Sequence, residues 1–275
     1  MKTNKILFLI PFALLTSCSI KINDKGQDSD SMGNLFSNSK SINGTGDVQE
    51  KTYNLSFDEL KVSSSINAEV IKSDVEKIVI SAPSDLLNEV WVEQSGNKVH
   101  IHFKPNLNIR NSDRVKATIY AKDFSKLSAS SSGIIVVKDK FTQDNMDIDV
   151  SSSGSIEGDL EANNLNLQIS SSGDFKGKLW AVDFSGEISS SGDATISGSS
   201  TNSKFRVSSS GKLDARNFTT KNADLQASSS GDIAMKVSNT LNASASSSGG
   251  IDIQKTGNLN IQNRKESSGG SVNVR

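Results

Sequence analysis

The chain has 275 residues, with 30 Lys and Arg against 31 Asp and Glu and a formal net charge of −1. That balance argues against a nucleic-acid partner, since duplex binding needs a basic stripe to displace the counterions of the phosphates. Hydrophobic residues make up 34% and aromatics 5%, too few for a thick globular core, while near-zero charge argues against disorder and leaves a thin, elongated core.

Residues 1–17 read as a targeting segment. Lys2 and Lys5 precede an apolar run from Ile6 to Leu15. Ten residues are too few to cross a bilayer, where ~20 are needed, so the run is a secretory signal core. It ends in Leu15-Thr16-Ser17-Cys18, which resembles the lipobox of bacterial lipoproteins. The resemblance implies cleavage before Cys18, the only cysteine, and acyl chains (palmitate among them) on its thiol and new amine. Each buried methylene adds roughly 0.8 kcal/mol, so several chains on one residue anchor stably. Ser19 is not the acidic residue associated with inner-membrane retention in some bacteria, which favours the outer membrane, facing either the periplasm or the exterior. With Cys18 lipidated no disulfide can form.

Residues 18–52 comprise the lipidated cysteine and a tether rich in Ser, Asn, Gly, Asp and Lys, expected to be flexible. Residues 53–126 are expected to cap a solenoid. Within them Leu60-Lys61-Val62-Ser63-Ser64-Ser65-Ile66 fits the later repeat register with Ile66 at its glycine position. Asp85 to Glu89 reads as a helical turn after Pro83, Trp91 to Phe103 as a hairpin turning at Ser95-Gly96-Asn97, and Lys116 to Ala121 as a strand.

Residues 127–275 are a repeat. Glycines ending Ser-Ser-Gly fall at 133, 154, 173, 192, 211, 231, 249 and 269, at intervals of 21, 19, 19, 19, 20, 18 and 20. Before each serine triplet apolar residues alternate with polar ones, as in Leu167-Gln168-Ile169 and Phe205-Arg206-Val207, and after the glycine come Ile156, Phe175, Leu213 and Ile233. Alternation at period two is strand, not helix. A unit of this length buries its apolar face only by stacking on its neighbours, at ~4.8 Å per coil. Carried through the triplet, the alternation puts the second serine and the glycine inside, where stacked hydroxyls would satisfy one another. It puts the first and third serines outside, as a flat candidate binding strip: Ser130, Ser132, Ser151, Ser153, Ser170, Ser172, Ser189, Ser191, Ser208 and Ser210. The glycine is expected to permit a bend.

The run Phe57-Asp58-Glu59-Leu60-Lys61-Val62-Ser63, then Ile66-Asn67-Ala68-Glu69-Val70 and Ala82-Pro83-Ser84-Asp85-Leu86-Leu87, resembles the start of the head GIN domain, a family named for auto-transporter adhesins. The resemblance extends over roughly Tyr53 to Arg275. It implies an all-β, right-handed parallel β-helix and an adhesive role. Nothing after the repeats has room for a membrane barrel, so attachment is expected through Cys18 instead.

Catalytic chemistry finds little support. No glycine-rich loop opens a helix. His100 and His102, the two histidines, share one strand face, with no cysteine or acidic cluster beside them in sequence; they read as surface or structural residues. Asp174 and Asp193 occupy equivalent positions on adjacent coils, ~5 Å apart, a separation suited to glycoside hydrolysis, with Asp232 further along. Lys212 between them and the lack of a sugar-binding aromatic beyond Trp180 point to an ordinary exposed ladder position. The calcium nonapeptide pattern is absent. Trp91 and Trp180 are expected to be partly buried packing residues. No catalytic residue, metal ligand or cofactor is therefore assigned. The expected function is an envelope binding module contacting glycan or protein, the alternative a structural spacer without a ligand. The final coil, from Val272 to Arg275, could pair with a second copy to form an oligomer.

Overall fold

The computed structural model describes residues 40–275; the signal segment, Cys18 and the tether through residue 39 lie outside them. The first part of the described chain forms β1 (Lys40–Ile42), β2 (Val48–Tyr53), β3 (Glu59–Val62), β4 (Asn67–Lys72), β5 (Lys77–Pro83), β6 (Val90–Ser95), β7 (Lys98–Phe103), β8 (Leu107–Ile109) and β9 (Lys116–Ala121). The repeat region forms β10 (Lys126–Ala129), β11 (Ile134–Val137), β12 (Phe141–Val150), β13 (Ser155–Ile169), β14 (Asp174–Ile188), β15 (Asp193–Val207), β16 (Lys212–Ala227), β17 (Asp232–Ala245), β18 (Gly250–Lys255), β19 (Asn260–Glu266) and β20 (Ser271–Val274). A 3-10 turn at Leu87–Glu89 follows Pro83, and the hairpin joins β6 to β7 from Val90↔Phe103 to Ser95↔Lys98. No helix among the described residues is long and apolar enough to cross a membrane.

The protein is a β-solenoid. Its coils pair in parallel and in register, so equivalent residues stack into ladders. One core ladder runs Ala117, Ala68, Ile135, Ile156, Phe175, Ala194, Leu213, Ile233, Ile251, Val272. Its order departs from chain order at one end: the coil of β3 and β4 lies between β10 and β11 on one side and β7 and β9 on the other. The chain therefore lays down an inner coil first, covers it with the β7–β9 coil, and returns to continue the stack. Antiparallel β5, β2 and β6 finish that end.

Residues 40–52 do not belong to a flexible tether. β1 pairs with β8, and β2 pairs with β5 from Val48↔Pro83 to Tyr53↔Ile78. β2 is exposed along almost its whole length. Backbone hydrogen bonds rather than side-chain burial hold it, so its hydropathy carries no strand signal.

The serine triplets correct a second expectation. The alternation stops at the first serine. In Ser151-Ser152-Ser153-Gly154 the glycine N–H donates to the Ser151 carbonyl at 2.9 Å, while Ser152 and Ser153 have φ of 49° and 60°. This is a turn of the type I′ kind, with positive φ at both central residues, and it recurs at every Ser-Ser-Ser-Gly of the repeat. The second serine is exposed, the first half-buried and the glycine buried, so no inward hydroxyl ladder forms from the triplets. The main chain supplies the ladder instead. The third-serine N–H donates to the second-serine carbonyl of the next coil: Ser132 to Ser152 at 3.0 Å, Ser153 to Ser171 at 3.0 Å and Ser172 to Ser190 at 3.1 Å.

The glycine answers a steric demand rather than a conformational one. Gly133, Gly154, Gly173, Gly192, Gly211, Gly231 and Gly249 lack positive φ, and a Cβ on Gly154 would lie 2.6 Å from the Ala129 carbonyl of the preceding coil. Ile66 escapes this limit. Its own turn closes on Ser63 with Ser64 and Ser65 at positive φ, but the neighbouring strand leads at Phe103 into the longer connection to β9 instead of a tight turn. The last turn is shifted by one residue. Gly270 donates to Ser267, and Gly269, at φ 78°, takes the place of a third serine, so Gly270 is the structural glycine. In this register Arg264 and Glu266 occupy inward positions, beside Ala243 and Ala245, and pair with each other at 2.8 Å. Charges at inward positions oppose apolar stacking on that coil.

In one core ladder a missing side chain lies between two large ones. Gly186 sits between Leu167 and Phe205 in their ladder, and the Phe205 ring fills its space: a Cβ there would meet Phe205 Cε1 at 2.5 Å. Phe205 and Phe218 both stack edge-on to Phe184, at centroid distances of 4.8 and 5.6 Å. All three are buried.

Candidate functional site: a laddered polar face

Each long strand carries a phase break. In β13 the inward residues are Ile156, Gly158, Leu160 and Ala162, then Leu165, Leu167 and Ile169, with Asn163 and Asn164 both outward between them. The strand turns a corner there, and the same corner recurs on successive coils. From it to the serine turn each coil presents four outward rows. The first is Asn145, Asn164, Asp183, Asn202 and Asn222; the second is Asp147, Asn166, Ser185, Lys204 and Asp224. The third runs Asp149, Gln168, Glu187, Arg206 and Gln226, and the first serines of the turns form the fourth.

The first row is a hydrogen-bonded ladder. Asn164 Nδ2 donates to Asn145 at 2.9 Å, Asn202 Nδ2 to Asp183 at 2.7 Å and Asn222 Nδ2 to Asn202 at 2.8 Å. Thr240 donates its hydroxyl to Asn222 at 2.8 Å. Between the first and second rows lies a groove of about 490 Å³ that runs from Asn145 to Asn242. A second groove, of about 300 Å³, lies between the third row and the turns and is lined by Asp149, Gln168, Glu187, Ser151, Ser170 and Ser189. Such rows place amide, carboxylate and hydroxyl groups at the ~4.8 Å coil repeat, with charges of both signs interspersed.

The predicted serines are distributed unevenly over this face. Ser130, Ser151, Ser170, Ser189 and Ser208 are half-buried, whereas Ser132, Ser153, Ser172, Ser191 and Ser210 are exposed at the turn. The structure thus separates first and third serines that alternation had put on one flat strip. Their neighbours in the second and third rows had no place in that reading, although their polar character at fixed spacing is visible in the sequence. Cys18 lies outside the described residues.

Trp91 and Trp180 are partly buried, as expected, at 37% and 44% exposed, and Trp180 borders a cleft of about 210 Å³ with Lys140, Glu161, Lys178 and Ser199. Asp174 and Asp193 are register partners, as predicted, with Lys212 and Asp232 continuing the row. Burial, then the Asp193 charge, holds the Asp174 carboxyl above its ordinary range. A folded-state pKa above the unfolded one means the native chain binds this proton more tightly, so the group destabilises the fold as pH rises through that range. Asp174→Asn is expected to raise the thermal midpoint slightly at pH 7 and to leave it unchanged at pH 3, as thermal melts would show.

His100 and His102 share the outward face of β7, as predicted, but Glu93 on β6 pairs with His100 across the hairpin. Burial first, then the neighbouring His102 and Lys61, pushes His100 down to about 4. The turn at Gly96-Asn97 was the signal that could have brought Glu93 into the reading, because it sets which residues of the two strands face each other.

The family described as putative auto-transporter adhesin, head GIN domain matches residues 56–258. The chain belongs to this family. The head GIN domain here is similar to a solved structure titled a putative adhesin from Parabacteroides merdae ATCC 43184, with 16% identity, a TM-score of 0.78 and coverage of 86% of this chain and 99% of that one. A putative adhesin from Parabacteroides distasonis ATCC 8503 shows 19% identity, a TM-score of 0.77 and coverage of 86% and 99%. A structure titled a putative lipid binding protein from the same organism shows 22% identity, a TM-score of 0.74 and coverage of 86% and 100%. No curated protein matches the chain. At these identities the structures share the fold; the adhesin family points to a non-enzymatic, surface or envelope role for the head GIN domain.

Proposed function

We propose that the chain is an envelope lipoprotein of adhesin type, held to the outer membrane by acyl chains on Cys18, that contacts a glycan through its laddered polar face. The observation that carries the reading is the 490 Å³ groove walled by the Asn145-to-Asn222 ladder and the Asp147-to-Asp224 row. Its donors and acceptors recur at the coil spacing, and Asp147, Asp183 and Asp224 against Lys204 leave it net acidic, which suits a hydroxyl-rich polymer better than a polyanion. The first serines extend the same face through the smaller groove. Nothing in this reading requires catalysis, and the Asp174–Asp193 pair is an exposed ladder step rather than an acid–base pair.

Glycan-array binding by residues 40–275 tests the proposal. Binding is expected to fall at least ~10-fold in a Gln168→Arg/Lys204→Glu variant, the loss expected when one or two polar anchors of about 1.4 kcal/mol are removed. Retained binding in a correctly folded variant would move the contact elsewhere, and binding to proteins but to no glycan would replace the ligand class. No binding at all would favour a structural spacer. Anchoring has its own test: the chain should partition into detergent and incorporate labelled palmitate, and Cys18→Ser should abolish both.

A further inference from the structure

The outer face of the β6–β7 hairpin carries a second group of polar side chains, at the capped end of the row that runs from Asp149 through Ser128 and Lys61 to His100. β7 alternates buried Val99, Ile101 and Phe103 with outward Lys98, His100 and His102. The two imidazoles stack at a centroid distance of 4.1 Å, and the edge of Trp91 closes one side at 5.8 Å from His102. Glu93 projects from the facing strand. Its Oε2 lies 3.0 Å from His102 Nε2, and ligand atoms of Glu93, His100 and His102 all lie within 4.8 Å of one another.

The hydrogen bonds around His102 limit what can sit there. Its Nδ1 is 2.8 Å from the Phe103 carbonyl, and a carbonyl only accepts, so Nδ1 carries a proton. In the neutral ring Nε2 then presents a lone pair to a carboxylate oxygen. Two lone pairs at that distance repel unless a cation lies between them, either a second proton or a metal ion. An imidazole that donates one N–H to a backbone carbonyl and turns its other nitrogen toward a carboxylate has the orientation of a metal ligand held by an outer hydrogen bond. His100 is fixed in a similar way, with the Ser63 hydroxyl 2.8 Å from its Nε2. The Glu93 side chain is 56% exposed and that of His102 only 14%, so the carboxylate is free to close on an ion while the ring stays in place. With bonds of ~2.0–2.2 Å, tetrahedral ligand atoms lie about 3.4 Å apart, so a pair near the 4.8 Å limit would close by about an ångström while the Glu93–His102 pair, at 3.0 Å, would open slightly.

The geometry points to a divalent-metal site of the Zn²⁺ class on this hairpin, with His102 Nε2, a ring nitrogen of His100 and the Glu93 carboxylate as ligands. Two imidazoles and one carboxylate suit Zn²⁺, Ni²⁺ or Cu²⁺ rather than Ca²⁺ or Mg²⁺, which prefer all-oxygen sets. Three protein ligands leave one position of a tetrahedron to water. Among the described residues β6 pairs only with β7, and the bound ion would reinforce that pairing.

The test uses the full chain with Zn²⁺ alone, in equilibrium dialysis and in NMR of the imidazole signals, of which the chain has two sets. One ion per chain is expected, with both histidines shifting together and the thermal midpoint rising as ion is added. Glu93→Gln should weaken binding by about tenfold and His102→Ala should abolish it. Cys18→Ser should change neither affinity nor spectrum. Glu93 is exposed, so its variant keeps the test decisive even if a histidine variant folds poorly. The proposal is overturned if neither histidine shifts, if only one does, if Glu93→Gln binds Zn²⁺ as tightly as the unaltered chain, or if Cys18→Ser removes the binding.

Discussion

Gly231→Ala is expected to destabilise the solenoid by about 3–5 kcal/mol, the upper tail for a single added methyl. The new Cβ would lie 2.4 Å from the Val207 carbonyl oxygen and 2.6 Å from its carbon. Both are main-chain atoms of the preceding coil, so no rotamer relieves the contact and the coils must part. The companion result runs the other way. Ser229 and Ser230 sit at φ of 49° and 61°, where an L-residue is disfavoured by ~1–2 kcal/mol. Ser229→Gly should therefore leave the unfolding midpoint unchanged or raise it slightly, the relief being set against the entropy glycine loses on folding. Denaturant unfolding of the two variants side by side checks the assignment. A mild Gly231→Ala together with a damaging Ser229→Gly would invert it.

The second large effect is at Phe205. Phe205→Ala is expected to cost about 4 kcal/mol, as for other buried aromatic truncations, because the ring fills both its own place and that left by Gly186. The coupling is more diagnostic than the loss. In the unaltered chain a Cβ at residue 186 would meet Phe205 at 2.5 and 2.8 Å, so Gly186→Ala should be strongly destabilising alone. In the Phe205→Ala background those two contacts vanish and the Leu167 oxygen, at 3.1 Å, becomes the nearest neighbour. Gly186→Ala should then cost far less or become favourable, a non-additivity of 1 kcal/mol or more, about what contacting residues show. Additive behaviour would mean that the ring does not occupy the glycine's space.

Much of this architecture is legible in the sequence because a solenoid repeats its physics. Leu167, Ile169 and Phe175 announce two inward faces, and the Ser-Ser-Gly interval announces the coil. The failures arise where chain direction changes. Type I′ turns are usually recognised by Asn-Gly or Gly-Gly, and serine does not advertise positive φ, so extending the strand pattern through Ser152 put its side chain on the wrong side. The same assumption assigned the last glycine to Gly269 instead of Gly270, which hid the inward placement of Arg264 and Glu266. β2 was invisible because backbone pairing alone holds it. The order of coils at the β3–β4 end was invisible too, since nothing local in Leu60 or Ala68 specifies which coil lies on either side.

The candidate face was legible in part. Polar residues at positions such as Gln168 and Arg206 are plain in the repeat. The corner at Asn163 and Asn164 is not, because two adjacent asparagines read as one interruption of the alternation. That corner turns the Asn145-to-Asn222 positions into the wall of a groove. Glu93 required the hairpin register before it could be placed beside His102.

The serine turns are stacked main-chain structure, each joined to the next by a backbone hydrogen bond. Hydrogen exchange followed by NMR reads this directly. The third-serine amides of Ser172, Ser191 and Ser210 donate to Ser190, Ser209 and Ser229 at 3.0–3.1 Å, and they should be protected nearly as well as strand amides such as Ile188. The second-serine amides of Ser171, Ser190 and Ser209, which make no backbone hydrogen bond among the described residues, should exchange freely. Rapid exchange at both serines of each turn would contradict the stacked-turn account, because the triplets would then be mobile loops on a solenoid held together elsewhere.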